Sequence, residues 1–210
     1  MKVSVSILSS SLKASDIISR VDKTDADYVH LDIMDGKFVE NKTWTFSEVL
    51  KLSSLTSKKF DVHLMVNNPI KYINDYAMIN TDYITFHLES VKNPSDVIDA
   101  IKMVGIKPGI SIKPNTNVSE LLPYLPFVKQ VLIMSVEPGK SGQTFMESVV
   151  YKIDALKRII DEKGYDIIIN VDGGINEETA LKVKEAGASM VVYATFLHNG
   201  IMKERIDSLR

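Results

Sequence analysis

A regular alternation of short apolar runs with amphipathic segments is the feature that most constrains the fold of this 210-residue chain. The runs are rich in β-branched residues, and strands that are apolar on both faces and separated by helices indicate a parallel sheet covered by helices. We expect eight strands: Val3–Leu8, Tyr28–Ile33, Phe60–Leu64, Tyr83–His87, Lys107–Ile112, Gln130–Met134, Asp166–Val171 and Met190–Tyr193.

The segments between these runs repeat their apolar residues at the spacing of helices. They cover residues 12–21, 46–52, 70–77, 97–104, 118–125, 149–160 and 180–183. Capping residues agree with these helical segments. Helix starts are predicted at Ser15-Asp16, Asn93-Pro94 and Asn176-Glu177, and helix ends at Gly105, Gly164 and Gly187. The pattern predicts an α/β fold, a closed (β/α)₈ TIM barrel in which residues 1–210 form a single domain. The alternative is an open doubly wound sheet, but no Gly-x-Gly-x-x-Gly string follows the first strand.

Composition excludes several classes of protein. The net charge is −2 and there is no cysteine, so disulfides and thiolate metal sites are ruled out. Lys and Arg are not concentrated in any stretch, which argues against nucleic acid or an anionic membrane as a partner. No run of about 18 apolar residues occurs, and no targeting segment precedes the first strand. We therefore expect a cytoplasmic protein whose partner is a small molecule.

Polar side chains stand where three of the apolar runs end. His30 and Asp32 share one face of the second strand, His63 ends the third and Asp172 ends the seventh. The carboxyl ends of barrel strands meet at one mouth, so these groups are expected to converge there. Two imidazoles and two carboxylates suit one divalent ion, Zn²⁺ or a similar ion such as Fe²⁺, Mn²⁺ or Co²⁺, or an acid/base site. Any one of them alone is equally well explained as a structural polar group.

Six strings follow one another along the chain: Ser6-Ile7-Leu8-Ser9, His30-Leu31-Asp32-Ile33-Met34-Asp35-Gly36, Asp61-Val62-His63-Leu64-Met65, Met134-Ser135-Val136-Glu137-Pro138-Gly139, Gly142-Gln143 and Val171-Asp172-Gly173-Gly174. In these strings, and in their order, the sequence resembles the ribulose-phosphate 3-epimerases. The resemblance runs from about residue 3 to residue 197.

The resemblance implies a (β/α)₈ barrel that interconverts D-ribulose 5-phosphate and D-xylulose 5-phosphate by moving one proton at C3. By similarity, Asp32 and Asp172 are the acid and the base, one on each face of the substrate. They would also hold the metal ion together with His30 and His63. A divalent ion would stabilise the enediolate as a Lewis acid. Members of the family are often homo-oligomers, which is therefore our expectation here.

The resemblance also implies a set of substrate-binding residues. Thioethers can contact an enediolate without offering a proton, whereas glycines allow backbone N–H groups to approach a phosphate. The implied residues are Ser6, His63, Met34, Met65, Met134, Gly139, Lys140, Ser141, Gly142, Gly173, Gly174, Ala194 and Thr195. His87 and Glu89, after the fourth strand, are interpreted as supporting or structural groups, and no role is assigned to Asp61.

The chain departs from the family pattern mainly at the phosphate end. Lys140-Ser141 lies inside what is usually a Gly-Phe-Gly-Gly string, Ala194-Thr195 replaces Gly-Ser, and Glu40 replaces a proline. Ser10-Ser11 also replaces an Ala-Asp pair. An alternative substrate is therefore a ketohexose 6-phosphate such as D-allulose 6-phosphate. A further alternative is aldol chemistry of the hexulose-phosphate synthase type. Another is a non-catalytic sugar-phosphate binder, but the acid/base pair argues against a binder.

Overall fold

The computed structural model of the chain describes residues 1–8, 12–194 and 202–209. Eight parallel strands follow one another around a closed barrel, and the first strand pairs with the last. This confirms the predicted (β/α)₈ fold. The strands are β1 Lys2–Ser6, β2 Tyr28–Met34, β3 Lys59–Met65, β4 Thr81–His87, β5 Lys107–Ile112, β6 Gln130–Met134, β7 Ile168–Asp172 and β8 Met190–Tyr193.

The described residues also form seven α-helices and three short 3₁₀ turns. The helices are α1 Ala14–Val21, α2 Phe46–Ser53, α3 Ile70–Tyr76, α4 Pro94–Met103, α5 Val149–Lys163, α6 Glu177–Glu185 and α7 Met202–Ser208. The 3₁₀ turns are Leu88–Ser90, Val118–Leu121 and Leu125–Phe127. Within the described part of the chain, no helix combines the length and the apolar character that crossing a membrane requires.

Two local predictions were wrong. Residues 118–125 carry helical spacing, but they form 3₁₀ turns because Pro123 and Pro126 lack the N–H that a continuous α-helix needs. Helix α1 begins at Ala14, so Ser15-Asp16 lies in its first turn rather than at its cap. Most strand bounds shift by one or two residues; β1 ends at Ser6, and β7 begins at Ile168.

The other helix ends follow the predicted capping. Asn93 precedes Pro94, which is the first residue of α4 and needs no hydrogen-bond acceptor there. Asn176 accepts a hydrogen bond from the backbone N–H of Thr179 at the start of α6. Gly164 ends α5 in the left-handed conformation, with φ of 65°.

The apolar core and the interior of the barrel differ in character. The main core is the shell between the outer faces of the strands and the helices. At the amino-terminal end of the barrel, Tyr28, Tyr83 and Met190 form a small apolar plug. The middle of the interior is polar, and its fully buried side chains are Ser4, His30, Asp61, Thr85, Gln130 and Asn170. Buried polar groups need hydrogen-bond partners, and most of these side chains are hydrogen-bonded to Asp61.

Candidate active site

The structure brings His30, Asp32, His63 and Asp172 together at the carboxyl-terminal mouth of the barrel. One ligating atom from each lies within 4.8 Å of those of the other three. Nε2 of His30 is 3.3 Å from Oδ1 of Asp32 and 3.8 Å from Oδ2 of Asp172. Nδ1 of His63 is 3.1 Å and 3.7 Å from the same two oxygens. Donor atoms around a tetrahedral ion with bonds of about 2.0–2.1 Å lie about 3.3 Å apart, so a small divalent cation fits this cluster.

His30 is prepared to bind a cation through Nε2. Its Nδ1 atom is 2.8 Å from Oδ2 of Asp61, which accounts for one ring nitrogen. Nε2 is buried and makes no hydrogen bond with the described residues. A buried nitrogen without a hydrogen bond costs free energy unless something binds it. This orphaned atom faces the two carboxylates and is the observation that best supports a metal site.

Asp61 lies directly behind His30, and the sequence reasoning had given it no part in the site. It is fully buried in β3, and its carboxylate accepts hydrogen bonds from Ser4, from Gln130 and, at 3.3 Å, from Asn170. Burial opposes the charge of this group, but the adjacent His30 and these donors outweigh it and lower the pKa of Asp61. An ionised carboxylate therefore lies behind the inner nitrogen of His30.

His63 has a longer set of supporting contacts. While Nδ1 faces Asp32 and Asp172, Nε2 lies 2.9 Å from Nε2 of His87. Nδ1 of His87 in turn lies 3.2 Å from Oε2 of Glu89. His87 is fully buried and burial lowers its pKa to about 4, so it is neutral near pH 7. The structure thus places His87 and Glu89 behind His63, on the side away from Asp32 and Asp172.

The two aspartates differ in their environment and in their pKa. Burial opposes ionisation of Asp32, but the nearby charges of His30 and His63 and the hydrogen bond with His63 outweigh it and lower the pKa of Asp32. The Ser6 hydroxyl donates to Oδ2 of Asp32 at 2.9 Å, which leaves Oδ1 facing the imidazoles. Among the described residues, none donates such a hydrogen bond to the side chain of Asp172; burial and the nearby charge of Asp32 raise its pKa to about 6. One carboxylate is therefore held ionised, while the other can carry a proton near neutral pH.

A cleft opens above this cluster, and most of the residues expected to bind substrate line it. The side chains of Met34, Met65 and Met134 are buried at its base. Asp32 and Asp172 reach it with 8% and 15% of their side-chain surface exposed, whereas His63 is fully buried behind them. The cleft is lined by Ser6, Asp32, Met34, Met65, Met134, Gly139, Lys140, Ser141, Gly142, Asp172, Gly173, Gly174 and Ala194, among others. The predicted residue Thr195 lies outside the described residues.

The far side of the cleft is built from the loops after β6 and β7. Gly173 and Gly174 have φ of 120° and 62°. A Cβ atom at Gly174 would lie 2.5 Å from the backbone nitrogen of Phe145, so only glycine fits here. Two departures from the family pattern meet nearby: Nζ of Lys140 is 3.8 Å from Oε2 of Glu40, and both side chains are exposed.

Comparisons with known proteins agree with this geometry. Residues 2–198 match the Ribulose-phosphate 3 epimerase family. A Ribulose-phosphate 3-epimerase of Bacillus subtilis is 41% identical over 213 aligned positions, which cover 100% of this chain and 98% of that protein. The protein of the same name from Methanocaldococcus jannaschii is 40% identical over 196 positions, covering 93% of this chain and 83% of the relative.

Solved structures show the same architecture at low identity. A mutant tryptophan synthase alpha-subunit from Pyrococcus furiosus superposes with a TM-score of 0.74 at 14% identity, covering 99% of this chain and 97% of that one. This likeness concerns the fold alone. The barrel, its mouth and the close relatives together define the class of protein as an isomerase of the epimerase type. This chain belongs to the ribulose-phosphate 3 epimerase family. Membership disfavours both the aldol alternative and the non-catalytic binder.

Proposed function

We propose that this protein interconverts D-ribulose 5-phosphate and D-xylulose 5-phosphate by a metal-dependent, two-base transfer of the C3 proton. The single observation that carries the proposal is the cluster of His30, Asp32, His63 and Asp172, in which two carboxylates of different pKa adjoin two imidazoles. The named relatives give the substrate, which we transfer to this chain because their sequences cover it almost entirely.

The two aspartates divide the proton transfer between them. In one direction, ionised Asp32 takes the proton from C3, so the C–H bond breaks and its electron pair enters the enediolate. Protonated Asp172 then gives its proton to the opposite face of C3, which inverts that carbon. After the transfer the protonation states of the two carboxyls are exchanged, and the reverse reaction starts from that state.

Other residues of the site hold these groups and the substrate. His30 through Nε2, His63 through Nδ1, and oxygens of Asp32 and Asp172 are the groups that would hold a divalent ion. When bound, Zn²⁺, Fe²⁺, Mn²⁺ or Co²⁺ supplies Lewis acidity towards the oxygens of the substrate. Ser6 keeps Oδ2 of Asp32 oriented. The methionines Met34, Met65 and Met134 exclude water and offer no acidic proton at the wrong face.

The loops on the far side of the cleft are proposed to bind the phosphate. Gly139, Gly142, Gly173, Gly174 and Ala194 bring backbone close to it, and Lys140 and Ser141 add an ammonium group and a hydroxyl. Since Lys140, Ser141 and Ala194 differ from the family pattern and line the cleft, a ketohexose 6-phosphate such as D-allulose 6-phosphate is the second candidate substrate.

The remaining predictions about the chain stay proposals. We propose that residues 1–210 form one domain, which the pairing of β1 with β8 supports. We also propose that the protein is a cytoplasmic homo-oligomer that acts on a small sugar phosphate rather than on nucleic acid or a membrane.

A panel of ketopentose and ketohexose phosphates tests this function. The protein is stripped with a chelator, its metal content is checked by elemental analysis, and each substrate is followed with and without added Zn²⁺, Fe²⁺, Mn²⁺ or Co²⁺. We expect ribulose 5-phosphate to be converted fastest and only by the metal-loaded protein. Full activity of verified metal-free protein contradicts the metal dependence, and faster conversion of a ketohexose 6-phosphate contradicts the pentulose substrate.

A further inference from the structure

We propose that Glu89, acting through His87, is a positioning residue that keeps Nδ1 of His63 free of its proton and so available to a cation. This inference rests on the metal site of the proposed function. It assigns a task to a buried imidazole and a partly exposed carboxylate, neither of which touches the cleft or the carboxylates Asp32 and Asp172.

The contact between the two imidazoles fixes where their protons lie. Nε2 of His63 and Nε2 of His87 are 2.9 Å apart and both side chains are fully buried, so one nitrogen donates and the other accepts. A neutral His63 that binds a cation through Nδ1 carries its proton on Nε2. That proton points to His87, whose Nε2 must then accept. His87 therefore carries its own proton on Nδ1.

Glu89 accepts the hydrogen bond that Nδ1–H of His87 donates. Its Oε2 lies 3.2 Å from Nδ1 of His87. The other oxygen, Oε1, accepts hydrogen bonds from the backbone N–H of Lys113 and from the hydroxyl of Thr116. Both oxygens thus act as acceptors, which a carboxylate can do and a carboxamide cannot. The direction of the whole chain of hydrogen bonds, from His63 to Glu89, is set at this carboxylate.

The loop that supplies the donors to Glu89 is itself fixed. Nζ of Lys152, in α5, donates to the carbonyl oxygens of Lys113, Pro114 and Thr116. The ring of Phe38 packs on His87 with centroids 4.8 Å apart, which limits rotation of that imidazole. Lys113 and Thr116 therefore hold Glu89 in place, and Phe38 holds the ring of His87.

A competing contact explains why His63 needs this support. Oδ1 of Asp32 lies 3.1 Å from Nδ1 of His63 and would attract a proton to the nitrogen that must stay bare. Nε2 of His30 faces the same carboxylate, and there the opposing group is Asp61, which contacts Nδ1 of His30 directly. For His63 the opposing carboxylate is Glu89, one imidazole further away. Outer groups of this kind typically change metal affinity by 10- to 100-fold when they are replaced.

The variant Glu89→Gln tests the inference. The donors from Lys113 and Thr116 keep the amide oxygen at the position of Oε1, so the amide NH₂ faces His87 and reverses the chain of hydrogen bonds. We expect Zn²⁺ affinity, measured by competition with a chromogenic chelator, to fall at least tenfold. The matched control is Glu48→Gln, because Glu48 also accepts from a backbone N–H and a hydroxyl, both of Thr45, far from any histidine. It should bind Zn²⁺ like the wild type.

A spectroscopic measurement on the wild-type protein tests the same inference and does not depend on whether a variant folds. The chain has four histidines, so long-range ¹H–¹⁵N spectra of the Zn²⁺-loaded protein can resolve their tautomers. We expect the proton of His63 on Nε2 and that of His87 on Nδ1. A proton on Nε2 of His87, or wild-type Zn²⁺ affinity in folded Glu89→Gln, overturns the inference. Wild-type protein that binds none of Zn²⁺, Fe²⁺, Mn²⁺ and Co²⁺ instead contradicts the proposed metal site itself.

Discussion

Nδ1 of His30 lies 2.8 Å from Oδ2 of Asp61, and both side chains are completely buried inside the barrel. This contact gives the inner nitrogen of His30 a carboxylate partner and leaves Nε2, which makes no hydrogen bond with the described residues, directed at Asp32 and Asp172. A histidine that is held in this way is a stronger metal ligand, because the carboxylate fixes the ring and increases its basicity.

The variant Asp61→Asn tests this contact. An amide cannot replace the charge beside His30, and we expect Zn²⁺ affinity to fall by about 10- to 100-fold. Ser4→Ala is the matched control, because it removes another hydrogen bond to Asp61 but leaves the contact with His30 in place. Chelator competition measures both variants, with circular dichroism as the check on folding. Unchanged affinity in folded Asp61→Asn would show that Asp61 is only a buried structural group.

The role of Asp61 was not recognised from the sequence because it depends on strand register. The strings His30-Leu31-Asp32 and Asp61-Val62-His63 reverse each other, and β2 and β3 pair so that His30 lies opposite Asp61 and Asp32 opposite His63. Asp61 and His63 alternate with Val62 on the inner face of β3, and both are fully buried. The sequence reasoning did not align the two strings with each other. Their reversed order nevertheless indicates that each histidine lies opposite an aspartate.

Other parts of the structure follow directly from local pattern. The barrel, most of the caps and the meeting of the four metal-binding candidates result from apolar periodicity together with the rule that strand ends converge. The pattern fails at residues 118–125, where prolines override it, and at His87 and Glu89, whose direction of hydrogen bonding depends on a loop in another unit of the barrel.

Asp32→Asn and Asp172→Asn should each stop proton transfer at C3. Replacing a general acid or base typically lowers the rate by 10²- to 10⁴-fold, and here either variant removes one of the two proton carriers. Solvent-deuterium incorporation at C3, followed by NMR, measures the loss. The control is Asp166→Asn, an exposed aspartate just before β7. Incorporation at the wild-type rate by either active-site variant would refute the two-base assignment.

Binding of Zn²⁺ should release protons at pH 7. Although burial opposes the charge of His30, Asp32 and Asp61 raise its pKa well above the usual value, so the ion has to displace a proton. Affinity should therefore weaken as pH falls. Titration calorimetry in buffers with different ionisation enthalpies measures the release, and a binding enthalpy that is independent of the buffer would contradict it.

Lys140→Ala should weaken substrate binding without slowing the chemical step. The side chain lines the cleft but is exposed, so we expect KM for the sugar phosphate to rise by about two- to fivefold with kcat unchanged. The effect should shrink at high salt. Glu40→Gln removes the neighbouring negative charge and should leave KM unchanged or lower it. An equal KM for Lys140→Ala and wild type at low salt would exclude Lys140 from phosphate binding.

The most direct test of the two-base account is a time course with D-ribulose 5-phosphate in deuterated water, with the metal-loaded wild-type protein. We expect the D-xylulose 5-phosphate formed early to carry deuterium at C3, because the second carboxyl delivers a proton equilibrated with solvent, while unconverted substrate keeps its original hydrogen. Product that retains the substrate's own C3 hydrogen, or an absence of conversion, would contradict the account.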